Sequence, residues 1–266
     1  LKNVLSELES HGFYFTYPEQ LDVKSKAWLR HYFEEHIYPV VTPLAVDSGH
    51  PFPFLTNHTI NAIIRIFQVL PDGTKDYKIA ILPIPSVLNR IIEIPSRSNK
   101  EHRFVYLEDV ITYYATQFFQ GYGIEESMIF RLTRDADLEI DEEDAKDLLT
   151  EVEASLRRRR RGDAVRLEVV GAGSPELLRT VLASVELEEK DVYHIDGHLD
   201  CRMYFDFSNY PGYDNLRYKP FEPKIPSDLI GFEGENLLDV IRNRDIFVHH
   251  PFESFSVVEQ FVAQAA

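Results

Sequence analysis

The chain has 266 residues, enough for one large domain or two ordinary ones, and its 44% hydrophobic and 12% aromatic content excludes a disordered polymer. A single cysteine, Cys201, excludes an internal disulfide and a cysteine-based zinc site, and points to a reducing cytoplasm. The formal charge of −16 argues against a surface that grips nucleic acid, and requires any basic site for a polyanion to be local or outside this stretch.

Residues 1–37 carry a helical pattern: Val4, Leu5 and Leu8 form one stripe closed by Gly12. A second helix is expected from about Asp22, with Val23, Ala27, Trp28, Phe33 and Ile37 inward and Pro39 as its stop. His31 and His36 fall on this helix, but a spacing of five does not put two metal ligands on one face. The opening LKNVLSELES is amphipathic and lacks the basic flank and apolar run of a signal peptide. No stretch reaches the roughly 20 apolar residues that span a membrane.

Tyr38 to Asn57 reads YPVVTPLAVDSGHPFPFLTN, and Pro39, Pro43, Pro51 and Pro53 forbid a helix there. Its apolar residues, Phe54 among them, suggest an extended connector buried between packed units. Ile60 to Phe67 alternates as a strand, Pro71-Asp72-Gly73 is a turn, and Tyr77 to Ile84 is the returning strand of a hairpin. Phe104 to Leu107 is a short strand, followed by a helix from Glu108 to about Gln120 that buries Val110, Ile111, Tyr114 and Phe118.

Ser127 to Thr133 is another strand, running into RDADLEI. A long helix follows from Asp141, with Ala145, Leu148, Leu149, Val152 and Leu156 on one face and Arg157 to Arg161 at its C-terminal end. Ala164 to Val170 is a strand, and Ser174-Pro175-Glu176 opens a further helix. Val192 to Ile195 is a short strand, and Asn209 to Ser227 is irregular. Glu235 to Asn243 is helical, Asp245 to His249 has the apolar run of a strand buried on both faces, and Ser256 with Glu259 forms a capping box for the last helix. The expected class is α+β, a mixed sheet flanked by helices and preceded by an N-terminal helical segment.

Three residues are candidates for phosphate contact: Arg131, Arg134 and His249. Arg131 and Arg134 lie at a strand end beside Asp135 and Asp137, which compete for them as ion-pair partners. His249, followed by His250, could face a helix N-terminus or accept a phosphoryl group, against the plainer reading of a packed or capping histidine. The five arginines 157–161 circle a helix end, so they cannot all face one ligand, and the helix dipole already accounts for them. His194, Asp196 and His198 suggest a metal, but Gly197 breaks the segment, no further ligand is evident, and the Asp-Gly is a turn signal. No P-loop, Gly-rich dinucleotide turn, H-x-K phosphodiesterase pattern or Ser–His–Asp arrangement is legible; no catalytic residue and no metal site is assigned.

VVTPLAVDSGHPFPFLTN resembles the bacterial polyphosphate kinase pattern VLTPLAVDPxHPFPFLSN. FRLTRDADLEI resembles that family's FRVTRNADL, with Asp135 in place of Asn, and LRRRRRGDAVRLEV is similar too. DIFVHHPFESFSVVEQFVAQAA resembles DILLHHPYDSFDPVVEFIRQAA. The resemblance covers nearly the whole chain and implies three parts: the end of an N-terminal helical domain (1–38), a middle domain (39–226) and the start of an α/β C-terminal catalytic domain (227–266). Members transfer the γ-phosphate of ATP reversibly to polyphosphate through a phosphohistidine, with Mg2+. The resemblance places the catalytic histidines past Ala266, consistent with ends that look cut from a longer polypeptide. It implies a structural, homo-oligomer-forming segment of a cytoplasmic enzyme, with membrane association as part of the parent complex as the second localisation, with ATP and polyphosphate as partners of the whole protein and no cofactor held by this piece. Tyr204, Tyr210, Tyr213 and Tyr218 suggest a self-association surface. The alternative is an autonomous phosphate-binding module or small hydrolase using Arg131, Arg134 or His249.

Overall fold

The computed structural model describes residues 1–47, 49–96, 100–135, 162–230 and 236–266. The expected helix from Asp141 and the arginines 157–161 lie outside the described residues. Packing divides the chain into two compact units, Leu1–Phe207 and Ser208–Ala266.

In the first unit, helix α1 (Lys2–Glu9) ends before Gly12, which turns the chain into strand β1 (Phe13–Phe15). Gly12 has φ +89°, and a Cβ there would meet the Lys100 carbonyl oxygen at 2.1 Å, so only glycine fits. Helix α2 (Val23–Tyr32) begins at Asp22, whose carboxylate accepts from the backbone N–H groups of Lys24 (2.9 Å) and Ser25 (3.0 Å). It continues as a π-helical turn over Phe33–Ile37. Phe33 and Ile37 are buried as expected, but Val23 faces solvent and Leu29 takes the inward place. The helix runs from Asp22 with Leu29, Phe33 and Ile37 in register, and that stripe leaves Val23 on the outer side of the first turn.

Strand β2 (Leu44–Val46) is an edge strand of a six-stranded sheet ordered β2-β4-β3-β7-β8-β9. The proline-rich stretch is therefore not buried throughout. Val41 and Leu55 are buried, whereas Phe54 is 50% exposed. Prolines suit an edge, where one side of the backbone needs no ladder partner and one face meets water. Strands β3 (Ile60–Val69) and β4 (Lys75–Pro83) form the expected hairpin, with Asp72 accepting from the Thr74 N–H (2.9 Å) and Gly73 at φ +82°. Two further strands, β5 (Ile91–Ile94) and β6 (His102–Tyr106), join β1 in a small sheet ordered β1-β6-β5.

Helix α3 (Leu107–Tyr113) gives way to a 3-10 turn at Ala115–Gln117. Strand β7 (Gly123–Arg134) pairs antiparallel with β3 and with β8 (Ala164–Val170). Helix α4 (Pro175–Val185) is capped by Ser174, whose hydroxyl accepts from the Leu177 N–H at 3.2 Å. Strand β9 (Val192–Ile195) closes the sheet parallel to β8, and α5 (Met203–Phe207) ends the unit.

Alternation along β3 shows how the sheet is covered. Ala62, Ile64 and Ile66 pack with Leu29, Phe33, Ile37, Val110 and Ile111 on one face. Ile63 packs with Ile81, Phe130 and Val169 under Leu177 and Val181 of α4 on the other. The class is α+β, as expected: mixed sheets with helices packed on them.

In the second unit, residues 208–226 are largely irregular, α6 (Leu237–Asn243) is capped by the Asn236 side chain (2.9 Å to the Leu238 N–H), and α7 (Ser256–Ala265) is the last helix. A small core joins Leu229, Leu237, Val240 and Val257. Asp245–His249 is not a strand and Phe247 faces solvent. A strand needs a ladder partner, and the second unit's only described bridge is Lys224 with Glu253. Ser256 is likewise not the cap. Its own N–H is taken by the Ser254 hydroxyl at 3.2 Å, two residues earlier than the sequence pattern suggested.

Candidate functional site

The charged groups of the first unit gather where β7 and β8 pass the segment 198–202. Arg131 lies directly across the ladder from Glu168, and its Nε donates to the Glu168 carboxylate at 2.5 Å. The second Glu168 oxygen accepts from Arg166 Nη2 at 3.1 Å. Arg131 Nη1 also lies 3.5 Å from the Asp200 carboxylate, which Arg202 grips from the other side through Nε (2.7 Å) and Nη2 (2.5 Å). The hydrogen bonds from Arg202 hold the Asp200 carboxyl down at about 2. The expected competition for Arg131 is real, but its acids are Glu168 and Asp200, not Asp135; Asp137 lies outside the described residues.

Below this cluster, Arg90 forms an ion pair with Glu108 of α3, whose side chain is only 2% exposed. The same guanidinium donates to the carbonyls of Leu199 (2.8 Å) and Asp200 (2.9 Å). His198 shares a hydrogen bond with Asp109 (Nε2 to Oδ2, 2.9 Å) and stacks on the Tyr106 ring at 3.6 Å between centroids. The Tyr106 and Tyr204 hydroxyls are 2.6 Å apart, and burial pushes Tyr106 well above its usual range. Tyr204 is thus half-buried and hydrogen-bonded within the first unit. Together these contacts pin the segment 198–204 onto β6, α3 and β7.

Arg134 is spent differently. Its Nε donates to the Leu55 carbonyl and Nη1 to the Gly162 carbonyl, both at 2.9 Å, and its guanidinium covers the Phe54 ring at 4.3 Å. Burial lowers its pKa from the ordinary arginine value. It ties the proline-rich stretch to the start of β8. His249 sits in a turn of the second unit, its backbone N–H donating to the Glu253 carboxylate (2.8 Å) and its ring against Phe252 at 5.0 Å. The neighbouring His250 contacts the Glu253 carbonyl through Nδ1 (2.9 Å).

Arg131 and Arg134 are therefore not brought together, since they belong to different clusters, and His249 lies in the other compact unit. His194 contacts the Gly171 carbonyl at 2.9 Å, away from His198 and its Asp109. His31 pairs with Glu35 at 3.3 Å, and His36 packs on Tyr32. Among the described residues no group of three His, Cys, Asp or Glu side chains is placed to hold a metal. Sequence reasoning missed Arg90, Glu108, Arg166 and Arg202. One local signal existed: Glu108 stands three residues before Ile111, on the buried face of α3.

The family model described as the polyphosphate kinase middle domain matches residues 24–207. The chain belongs to that family. It is 40% identical over its whole length to a polyphosphate kinase of Halalkalibacterium halodurans and 37% identical over 99% of its length to one of Pseudomonas syringae. The chain spans 37% and 36% of the length of these two polyphosphate kinases. The crystal structure of polyphosphate kinase from Porphyromonas gingivalis has the same fold over 100% of this chain and 37% of that one, with a TM-score of 0.71 at 23% identity. The family match ends at Phe207, the last residue of the first compact unit. Among the described residues, no helix is long and apolar enough to cross a membrane.

Proposed function

We propose that this chain is an architectural and dimer-forming segment of a polyphosphate kinase that transfers the γ-phosphate of ATP reversibly to polyphosphate through a phosphohistidine. The nucleophile, the Mg2+ and the principal ATP contacts belong to parts of the enzyme outside this segment. Residues 1–38 would end an N-terminal helical domain, the middle domain would follow, and the residues towards Ala266 would begin a catalytic domain.

One observation carries this reading: among the described residues of the first unit, Arg90, Arg131 and Arg134 are used to hold the fold together. Arg134 clasps two stretches through the Leu55 and Gly162 carbonyls, Arg90 ties the adjacent Leu199 and Asp200 carbonyls to the Glu108 carboxylate of α3, and Arg131 joins β7 to β8 and to Asp200. Phosphoryl transfer needs cations free to meet charge that develops on the phosphoryl oxygens. The charge of −16 adds a long-range repulsion against polyanions. Exposed Ile230, Phe247, Phe252 and Phe255 in the second unit fit a surface that a larger domain covers. A cytoplasmic enzyme fits Cys201, an exposed free thiol.

The parent polypeptide, supplied with ATP and Mg2+, should make polyphosphate, and this 266-residue chain alone should make none. Polyphosphate synthesis by the chain alone would contradict the reading. Light scattering tests the assembly: a mass of two copies at high protein concentration is expected, and a monomer at every concentration rules the dimer role out.

A further inference from the structure

The charges that join β7, β8 and the segment 198–202 alternate in sign along one line: Arg166, Glu168, Arg131, Asp200, Arg202. Three guanidiniums face two carboxylates, so the line carries a net positive charge in an acidic protein. Depth sorts the signs as well. The Glu168 and Asp200 side chains are 9% and 13% exposed, whereas Arg166 and Arg202 at the two ends are 41% and 70% exposed. What the line offers to solvent is therefore cationic.

The end groups also have donors left over. A guanidinium has five N–H donors. Arg166 bonds Glu168 through Nη2 and its Nε is buried, so the donors it can offer a ligand are those of its exposed terminal nitrogens. Its plane is held flat on the Tyr193 ring, 4.0 Å from the centroid, which fixes the direction of those donors. Arg202 turns Nε and Nη2 to Asp200, leaving its opposite edge outward. An architectural role for the line needs Arg131, Glu168 and Asp200; it does not need half-exposed arginines at both ends.

We propose that this strip binds an oligophosphate, with Arg166 and Arg202 as the two outer contacts and Arg131 as the recessed charge between them. A single phosphate at either end would feel the neighbouring carboxylate nearly as strongly as the guanidinium. A chain of phosphates reaches both ends and sums their attraction, so length is the property the strip selects. The choice of ligand rests on the polyphosphate kinase reading above. Binding there involves no bond making.

The test is titration of the 266-residue chain with sodium tripolyphosphate and with orthophosphate by calorimetry at several salt concentrations. Tripolyphosphate should bind, and bind more tightly than orthophosphate. The double variant Arg166→Gln/Arg202→Gln should lose at least about tenfold in affinity and about two units of salt slope, one for each phosphate contact. Arg30→Gln, an exposed arginine paired with Glu34 elsewhere in the unit, should change neither. Backbone amide shifts at Arg166 and Glu168 in the unmodified chain give a readout independent of variant folding, and should move on titration. Absence of binding, unmoved amides, or equal affinity in the double variant would overturn the proposal. So would loss of binding on changing Arg157–Arg161 to Gln with the double variant unaffected, which would move the site to that run. A parent enzyme that makes polyphosphate while this chain fails to bind it would remove the strip and leave the architectural reading standing.

Discussion

Replacing Arg90 with alanine tests how the first unit is held together. The substitution leaves the Glu108 carboxylate, 2% exposed, without its cation, and strips donors from the carbonyls of Leu199 and Asp200. Breaking a buried ion pair by removing one partner costs about 3–5 kcal/mol, mainly through the charge left behind. Each orphaned carbonyl adds about 1 kcal/mol where water cannot reach it. The total is about 3–7 kcal/mol, and for a unit of this size each kcal/mol lowers Tm by about 2–4 °C, so a fall of about 6–28 °C is expected. Urea denaturation of Arg90→Ala, Glu108→Leu and the double variant forms a cycle that separates the pair from its parts. The double variant should recover much of the single loss, because no charge is left buried. Lost packing of the arginine stem alone would cost only about 1 kcal/mol. An Arg90→Ala loss of that size, or a double variant as weak as the sum of the singles, would refute the reasoning.

Three other outcomes follow from the same contacts. Phe33→Ala, a ring with no exposed surface, should cost about 3–5 kcal/mol, whereas Phe54→Ala, half exposed beneath Arg134, should cost about 1 kcal/mol; equilibrium unfolding that reverses this order would contradict the placement of the proline-rich stretch on a sheet edge. Ser174→Ala should cost about 1 kcal/mol through loss of the α4 cap, with Ser174→Asp close to neutral, both read from denaturation midpoints. Asp200, held at about 2 against an ordinary 3.8, contributes stability that is complete above about pH 5 and is lost as pH falls from about 4 towards 2. Screening at this partly solvated pair limits it to about 1 kcal/mol, and Asp200→Asn should remove that part of the acid dependence of Tm.

The sequence revealed elements whose pattern is local. The β3–β4 hairpin shows in alternating apolar residues and Pro71-Asp72-Gly73, and α4 shows in Ser174-Pro175-Glu176. Strands β1 and β5 escaped because neither has a periodic run of its own: β1 has three residues and exists through parallel pairing with β6, nearly 90 positions away. Phe54 and Asp245–His249 were misread for one reason. Apolar composition reports a capacity for burial, while burial itself depends on a partner surface, which an edge strand offers on one side only and the turn at Glu253 does not offer at all. The candidate site was half legible. Arg131 stood out beside acids in sequence, but its true partners, Glu168 and Asp200, come from β8 and the 198–202 segment. Arg166 and Arg202 gave no local signal as a pair, since they stand 36 positions apart and are linked only through Glu168, Arg131 and Asp200.

The central claim is that this segment supports phosphoryl transfer without performing it. The measurement that bears on it most directly is incubation of the purified chain with γ-labelled ATP and Mg2+, followed by an assay for acid-labile phosphohistidine. The account predicts no stoichiometric label on the chain, because His249 and His250 are engaged in the Glu253 turn and, among the described residues, belong to no group placed to hold a metal. Stoichiometric acid-labile label that disappears in His249→Ala or His250→Ala would contradict it and place the nucleophile within these 266 residues.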